Sequence, residues 1–258
     1  MHKYQIEQQE VYYTVQGEGK PLLFLHGFLE DHKMWELIYP HFVKEGYQCI
    51  MVDLPCHGKS RFYDTNCSMQ FMAQVVDALL LELEIIEPTI IGHSMGGYVA
   101  LELNALRTSN IILLHSNFWT DSKQKKIDRN RVVQVVENNK SLFIGEAIPG
   151  LFAPNNRDKC KAIIEQLIEG ATQLSNEEII AATVGMRDRN PNYNLAENTQ
   201  LSIIQGEFDP IIPKTKMLKE IDKLNLDPNY IELAEISHMS IWEDTKSLIK
   251  VLKSQIMS

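Results

Sequence analysis

The sequence predicts an α/β protein: a mostly parallel central sheet flanked by helices and interrupted by one helical insertion. Three observations lead there. Short apolar runs rich in β-formers recur along the chain with helical patterns between them, which calls for right-handed crossovers and a parallel sheet. Several of these runs end on a residue able to do chemistry, where open α/β sheets place their sites. One stretch, 118–195, carries no convincing strand and stands outside the alternation.

Taken in order, Val11–Val15 reads as part of an edge hairpin, and Leu22–Leu25 and Gln48–Val52 as the first buried strands. Met69–Leu83 follows with helical spacing, then strands at Thr89–Ile91 and Ile111–Leu114. Inside the strandless stretch, helical patterns run over Val132–Glu137, Lys159–Glu169 and Asn176–Met186, the last opening with Ser175 and Glu178 in capping-box spacing. The alternation resumes with Leu201–Ile204, a strand that Pro210 and Pro213 keep from continuing, and with the helical Lys214–Lys223. Tyr230–Ile236 alternates apolar and polar residues as a half-buried strand and leads into a C-terminal helix. The expected division is a core of 1–117 and 196–258 with an inserted helical lid of 118–195.

Composition sets the background. A chain of 258 residues with 44% apolar content buries a substantial core, so one domain with an insertion suffices. The net charge of −9 and pI near 5.4 oppose nucleic acid or an anionic membrane as a partner, because both reward a basic face. A small-molecule substrate is expected, handled by a monomer or a homodimer. The segment Met1–Glu7 is polar and lacks the apolar centre of a signal peptide, and no apolar run reaches spanning length, so a cytoplasmic location is expected. Cys49, Cys56, Cys67 and Cys160 form no Cys-x-x-Cys pair, which argues against zinc and structural disulfides. No cofactor and no metal are expected.

The chemistry centres on Ile91 Gly92 His93 Ser94 Met95 Gly96 Gly97, a Gly-x-Ser-x-Gly run between a β-rich segment and a helix-compatible one. Such a turn presents a serine hydroxyl from a strained backbone, and side chains two residues either side would collide. Ser94 is therefore the candidate nucleophile. The Met95 N–H opens the following helix, whose dipole favours developing negative charge, and is a candidate oxyanion donor. The strand Leu22–Leu25 runs into His26 Gly27 Phe28, where the Phe28 N–H is the second candidate donor. Asp209, ending the Leu201–Ile204 strand region, is the candidate acid. His238, delivered by the last strand, is the candidate base.

These segments resemble the α/β-hydrolase family, whose triad follows in the order Ser, Asp, His. The resemblance runs from about Val11 to the C-terminus. It includes Asp53 Leu54 Pro55 Cys56 His57 Gly58 Lys59 Ser60, similar to the family's Asp-x-x-Gly-His-Gly-x-Ser loop with Cys56 in the usual glycine place. It implies that the insertion is a helical cap over the site and that the reaction is hydrolysis of an ester or thioester through an acyl-enzyme. Serine at position 94 argues against the aspartate-dependent haloalkane dehalogenases and epoxide hydrolases of this fold. Met239 stands where hydroxynitrile lyases place a lysine. His26 Gly27 Phe28 Leu29 and Asp53 Leu54 Pro55 are similar to those of menaquinone-pathway synthases and pimeloyl-carrier esterases, but Tyr98 replaces the synthases' arginine. C–C bond hydrolysis or lysis, cofactor-free perhydrolysis, and a non-enzymatic small-molecule receptor that retains the triad remain open as alternatives.

Other residues have plainer readings. His2, His32 and His41 are expected in solvent, His26 and His57 to shape loops, and His93 to be structural. His115 is the rival base, and Asp121 the rival acid. The charged run Lys123–Arg129 is expected as a solvated face. Trp119, Phe143, Phe152 and His115 are the candidate pocket residues, with Phe118 and Leu151 as equal claimants to pocket wall or cap core.

Overall fold

In the computed structural model, which describes residues 1–6, 9–61, 67–107, 109–193 and 200–257, the strands are β1 (His2–Ile6), β2 (Gln9–Gln16), β3 (Lys20–Leu25), β4 (Tyr47–Val52), β5 (Thr89–His93), β6 (Ile111–Leu114), β7 (Leu201–Gly206) and β8 (Asn229–Leu233). They form one sheet in the order β1-β2-β4-β3-β5-β6-β7-β8. β1 and β2 pair antiparallel, as do β2 and β4, and every other pairing is parallel.

The central strands are apolar over Leu22–Leu25, Cys49–Val52, Ile90–Ile91 and Ile111–Leu114 because both of their faces are covered there. Leu23 and Leu25 of β3, Ile50 and Val52 of β4, Ile90 of β5, and Ile111 and Leu113 of β6 pack on one side, with α2 (Met69–Glu82) and α3 (Met95–Asn104). Their alternate neighbours Leu22, Phe24, Cys49, Met51, Ile91, Ile112 and Leu114 pack on the other, against Trp35, Phe42 and α9 (Thr245–Ile256). A one-residue slip in any of these strands would exchange its two sets of side chains, so the register is strongly specified.

Two strands differ from expectation. β1 was not foreseen: it is short and largely exposed, and it is held by backbone pairing with β2 and by Tyr4 and Ile6 packing on the core. β8 stops at Leu233 although the alternating pattern continues to Ile236, because Glu235 turns the chain at φ 58°.

Between β6 and β7 lie α4 (Lys123–Gly150), α5 (Lys161–Thr172) and α6 (Asn176–Arg187). α4 is far longer than the short pattern at 132–137 suggested. It bends at Asn139 (φ −156°, ψ 78°), whose Oδ1 accepts the Leu142 N–H at 3.0 Å and so caps the second segment. α6 opens on the foreseen capping box: Ser175 Oγ accepts from Glu178 N at 3.2 Å and Glu178 Oε2 accepts from Ser175 N at 2.9 Å. The insertion has its own apolar cluster, including Val136, Ile144, Ile148, Phe152 and Ile179. The expected boundary at 195/196 lies outside the described residues.

The remaining helices are α1 (Tyr39–Val43), α7 (Lys214–Lys223) and α8 (Ser240–Glu243). Among the described residues no helix is long and apolar enough to cross a membrane. All four cysteines are buried and free, and Cys56 sits at φ 72°, so this cysteine takes the left-handed conformation of the glycine it stands for.

Candidate active site

Pairing sets the stage. Leu25 of β3 lies beside Gly92 of β5, and His93 beside Leu114 of β6, so the loops after β3, β5 and β6 emerge together at the carboxyl edge of the sheet. Ser94 stands between β5 and α3 at φ 49° and ψ −113°, a conformation that costs a non-glycine residue about 1–3 kcal/mol and persists only where its surroundings impose it. They do so here. The Ser94 N–H donates to Leu114 O at 2.9 Å, and its carbonyl accepts from Ser116 Oγ at 2.6 Å and from Gly97 N at 3.0 Å. A Cβ on Gly92 would lie 2.6 Å from Gly97 Cα, and one on Gly96 would strike the carbonyl oxygens of Leu25 and His26. The turn therefore closes only with glycine at both positions.

Asp209 and His238 come together: His238 Nδ1 lies 2.8 Å from Asp209 Oδ2. The other carboxylate oxygen accepts the N–H groups of Ile211 and Ile212 at 2.8 and 3.0 Å. Burial by itself would raise the carboxyl's pKa, but attraction to His238 and the hydrogen bonds from His115 and His238 hold it well below the usual carboxylate range. Asp209 is thus an ionised acceptor with every donor supplied. Ser94 Oγ has no hydrogen-bond partner among the described residues. Likewise neither the Phe28 nor the Met95 N–H has a protein acceptor there.

His115 holds a different place from the pocket position expected of it. It is fully buried behind Asp209, with Nδ1 3.2 Å from Asp209 Oδ2 and Nε2 2.7 Å from Ser240 Oγ. Burial pulls its pKa down to about 4, so it is neutral at pH 7. Asp121, the rival acid, faces no histidine: its oxygens take Arg129 Nε at 2.8 Å and Arg189 Nη1 at 2.9 Å.

His93 contacts acceptors on both sides. Nδ1 is 3.1 Å from Glu30 Oε2, and Nε2 is 3.0 Å from the His238 carbonyl. Burial disfavours the imidazolium, yet Glu30 raises the His93 pKa, and Glu30 is itself held below its ordinary value by the same pair despite burial. Glu30 Oε2 also accepts the Gly27 N–H at 2.8 Å, beside Phe28.

The candidate pocket aromatics fall into two groups. Phe143 reaches the loop after β3, its ring 6.5 Å from that of Phe28, and Phe152 packs on Trp242 at 6.3 Å. Trp119 lies in the other cluster, against Phe118, with Lys216 Nζ 4.8 Å above its ring. A separate cleft of about 790 Å³ lies between the Leu29–Leu37 segment and α5, bordered by Glu30, His32, Ile163, Leu167 and Trp242; Ser94 does not line it.

Smaller expectations are also adjusted. His26 and His57 do shape loops, through Gly27 O, Leu54 N and Pro55 O. His32 is not in solvent: its Nδ1 is 2.6 Å from the buried Asp53. The charged run is not wholly solvated, because Arg129 turns inward to Asp121. Among the described residues two groups place three potential metal-ligand atoms within 4.8 Å of one another, His115 with Asp209 and His238, and Asp31 with His32 and Asp53. Their donors are already engaged with each other or with backbone N–H groups. Glu30 and Glu243, which support the histidine loop, escaped the sequence reading, since lone carboxylates carry no spacing signature.

Comparison with known proteins agrees with this layout. A sequence profile of the family described as alpha/beta hydrolase fold matches residues 20–121. The AB hydrolase superfamily protein YisY of Bacillus subtilis (strain 168) is 35% identical over 241 residues, 90% of each chain. Protein PHYLLO, chloroplastic, of Arabidopsis thaliana is 30% identical over 238 residues, 83% of this chain; the match spans only 14% of that protein's length. Among solved structures, a thermophilic esterase from Thermogutta terrifontis superposes with a TM-score of 0.90 at 23% identity, covering 100% of this chain and 98% of that one.

Proposed function

The chain belongs to the α/β-hydrolase superfamily, and from that membership we propose that it is a serine hydrolase cleaving a small to medium, largely apolar carboxylic ester or thioester through an acyl-enzyme. One observation carries the reading: a carboxylate whose four hydrogen bonds are all accounted for holds His238 by Nδ1, and the His238 ring lies 5.1 Å from that of His93, the residue before a serine on a strained strand-to-helix turn.

With its Nδ1 proton held by Asp209, neutral His238 carries a lone pair on Nε2. That atom takes the Ser94 hydroxyl proton as Oγ attacks the carbonyl carbon. The tetrahedral oxyanion is met by the Phe28 and Met95 N–H groups, the latter at the positive end of α3. His238 then hands its proton to the departing alkoxide or thiolate. Water, activated by the same Nε2, cleaves the acyl-enzyme and restores the serine. The helices of 118–195 serve as a cap that excludes water and shapes the acyl pocket, with Phe143 over Phe28 as part of its wall.

The test is covalent labelling by a fluorophosphonate probe together with hydrolysis of aryl esters and acyl thioesters. We expect labelling of Ser94, abolished in Ser94→Ala, and a loss in kcat on the order of 10⁶ for Ser94→Ala or His238→Ala. A folded protein left unlabelled at Ser94 would refute the proposal.

A further inference from the structure

The loop that carries His238 has no regular structure of its own between the end of β8 and α8. Its backbone is held from outside. The His238 N–H donates to Leu151 O of the insertion at 3.0 Å, and its carbonyl faces His93 Nε2. The residues on either side are held by one side chain, the buried carboxylate of Glu243. Its Oε1 accepts the Ser237 N–H at 3.1 Å and the Met239 N–H at 3.2 Å. Its Oε2 accepts the Ala153 N–H at 3.0 Å and Asn156 Nδ2 at 2.7 Å.

We propose that Glu243 is a positioning residue that makes the placement of His238 depend on the seating of the 151–156 segment of the insertion. This rests on the reading of His238 as the catalytic base. The argument is one of valence and place. Four donors from two segments converge on one side chain, and only a carboxylate offers two acceptor oxygens facing opposite ways. Two of the donors bracket His238, and the other two belong to the insertion. The contact continues around the carboxylate: Lys159 Nζ donates to Glu243 O at 2.8 Å, and Met239 packs within the insertion's own apolar cluster. If the insertion shifts, the base moves with it.

Two variants test this. Glu243→Gln keeps shape but turns an NH2 toward one pair of N–H donors. Asn156→Ala removes the insertion's side-chain link to the histidine loop, the donor to Glu243 Oε2 and to Glu235 O at 3.2 Å, and leaves every side chain of 234–239 intact. A displacement near 1 Å of a catalytic group costs about 100-fold in rate. We therefore expect kcat to fall about 100-fold in Glu243→Gln and about tenfold in Asn156→Ala, with KM within about threefold and fluorophosphonate labelling of Ser94 slowed in parallel. Backbone hydrogen exchange over Ser237–Met239 should accelerate in Asn156→Ala, a readout independent of turnover. A merely structural Glu243 would lower thermal stability and leave kcat and exchange at the loop intact well below the melting point. If Glu243→Gln does not fold, Asn156→Ala alone decides: unchanged exchange over 237–239 and unchanged kcat overturn the proposal. If the parent neither hydrolyses esters nor takes the label, the reading of function fails, and the exchange arm still judges the coupling.

Discussion

Asp209→Asn should separate catalysis from stability, and the hydrogen bonds say how. Oδ1 faces the N–H groups of Ile211 and Ile212 at 2.8 and 3.0 Å, so the amide oxygen must take that side. The NH2 then points at the two Nδ1 atoms that flank Oδ2, His238 at 2.8 Å and His115 at 3.2 Å. Two hydrogens meet two nitrogens, and both rings satisfy them by carrying their own proton on Nε2. The Gly206 N–H, 3.3 Å from His115 Nδ1, gains an acceptor as well. For His238 this is the tautomer that cannot take a proton from Ser94. The corresponding change in a comparable triad lowers kcat by about 10⁴, or about 5 kcal/mol in the barrier. Stability should fall by only about 1–2 kcal/mol, because weaker hydrogen bonds are partly offset by no longer burying a charge. Asp209→Ala should be as inactive, yet it strands four donors at about 1–3 kcal/mol each and should lose at least about 4 kcal/mol. Aryl ester hydrolysis and urea unfolding measure the two effects. The reasoning is refuted if Asp209→Asn keeps more than about a tenth of parental kcat, or loses as much stability as Asp209→Ala.

His57 and His115 predict an acid-sensitive fold, while His93 and His32, whose carboxylate partners raise their pKa values, act in the opposite sense. Burial lowers the pKa values of His57 to about 3 and His115 to about 4, so between pH 6.5 and 5 the unfolded chain binds protons that the folded one does not. Stability should drop by about 2 kcal/mol per histidine over that interval, and a flat urea midpoint from pH 7 to 5 would contradict it. Asp209, with a depressed carboxyl pKa, adds its loss only at lower pH, as pH falls below the unfolded value near 3.9 toward the folded one. Asp121→Asn should leave kcat within a few-fold but cost about 3 kcal/mol in unfolding, since it breaks a buried pair with Arg189, whose guanidinium also lies 4.0 Å over the Tyr98 ring. In a straight-chain acyl series, kcat/KM should rise about fourfold per methylene until the pocket fills, at about 0.8 kcal/mol each. Phe143→Ala should move that optimum to longer chains and Trp119→Ala much less; profiles insensitive to Phe143 would shift specificity to the loops around Phe28 and Cys56.

Much of the fold was legible because buried parallel strands write themselves as apolar runs and their ends carry the polar residues. Ser94, Asp209 and His238 could each be singled out this way, as the residue just past a strand. β1 left no such trace, since an exposed edge strand buries only a residue or two, here Tyr4 and Ile6, and shows no apolar run. α4 was nearly invisible because its surface is mostly polar, only Val136, Ile144 and Ile148 are buried, and the Asn139 bend interrupts the helical spacing between them. The supports of the site were beyond local reading. Glu30 and His93 stand 63 positions apart, His93 and the His238 carbonyl 145, and Ala153 and Glu243 90. Such pairs have no spacing to recognise, and each carboxylate alone passes for a surface residue. His115 was noticed for its chemistry but misplaced, because nothing in sequence tells whether a histidine at a strand end turns toward the pocket or toward the acid.

The position of the insertion has a bearing on how the chain folds. Ile111 of β6 and Leu201 of β7 are direct partners in the sheet although 90 positions separate them. Closing so long a loop costs about 2 kcal/mol more in chain entropy than closing one of ten residues. The insertion's own cluster of Val136, Ile144, Ile148 and Phe152 shortens that loop once it has formed. The strands up to β6 can pair among themselves through shorter connections, whereas β7, β8 and with them Asp209 and His238 must wait for the insertion to collapse. Mutations confined to the insertion's core should then slow the late folding phase in which Asp209 and His238 join Ser94, while leaving the early phase that builds β3, β4, β5 and β6 at its parental rate.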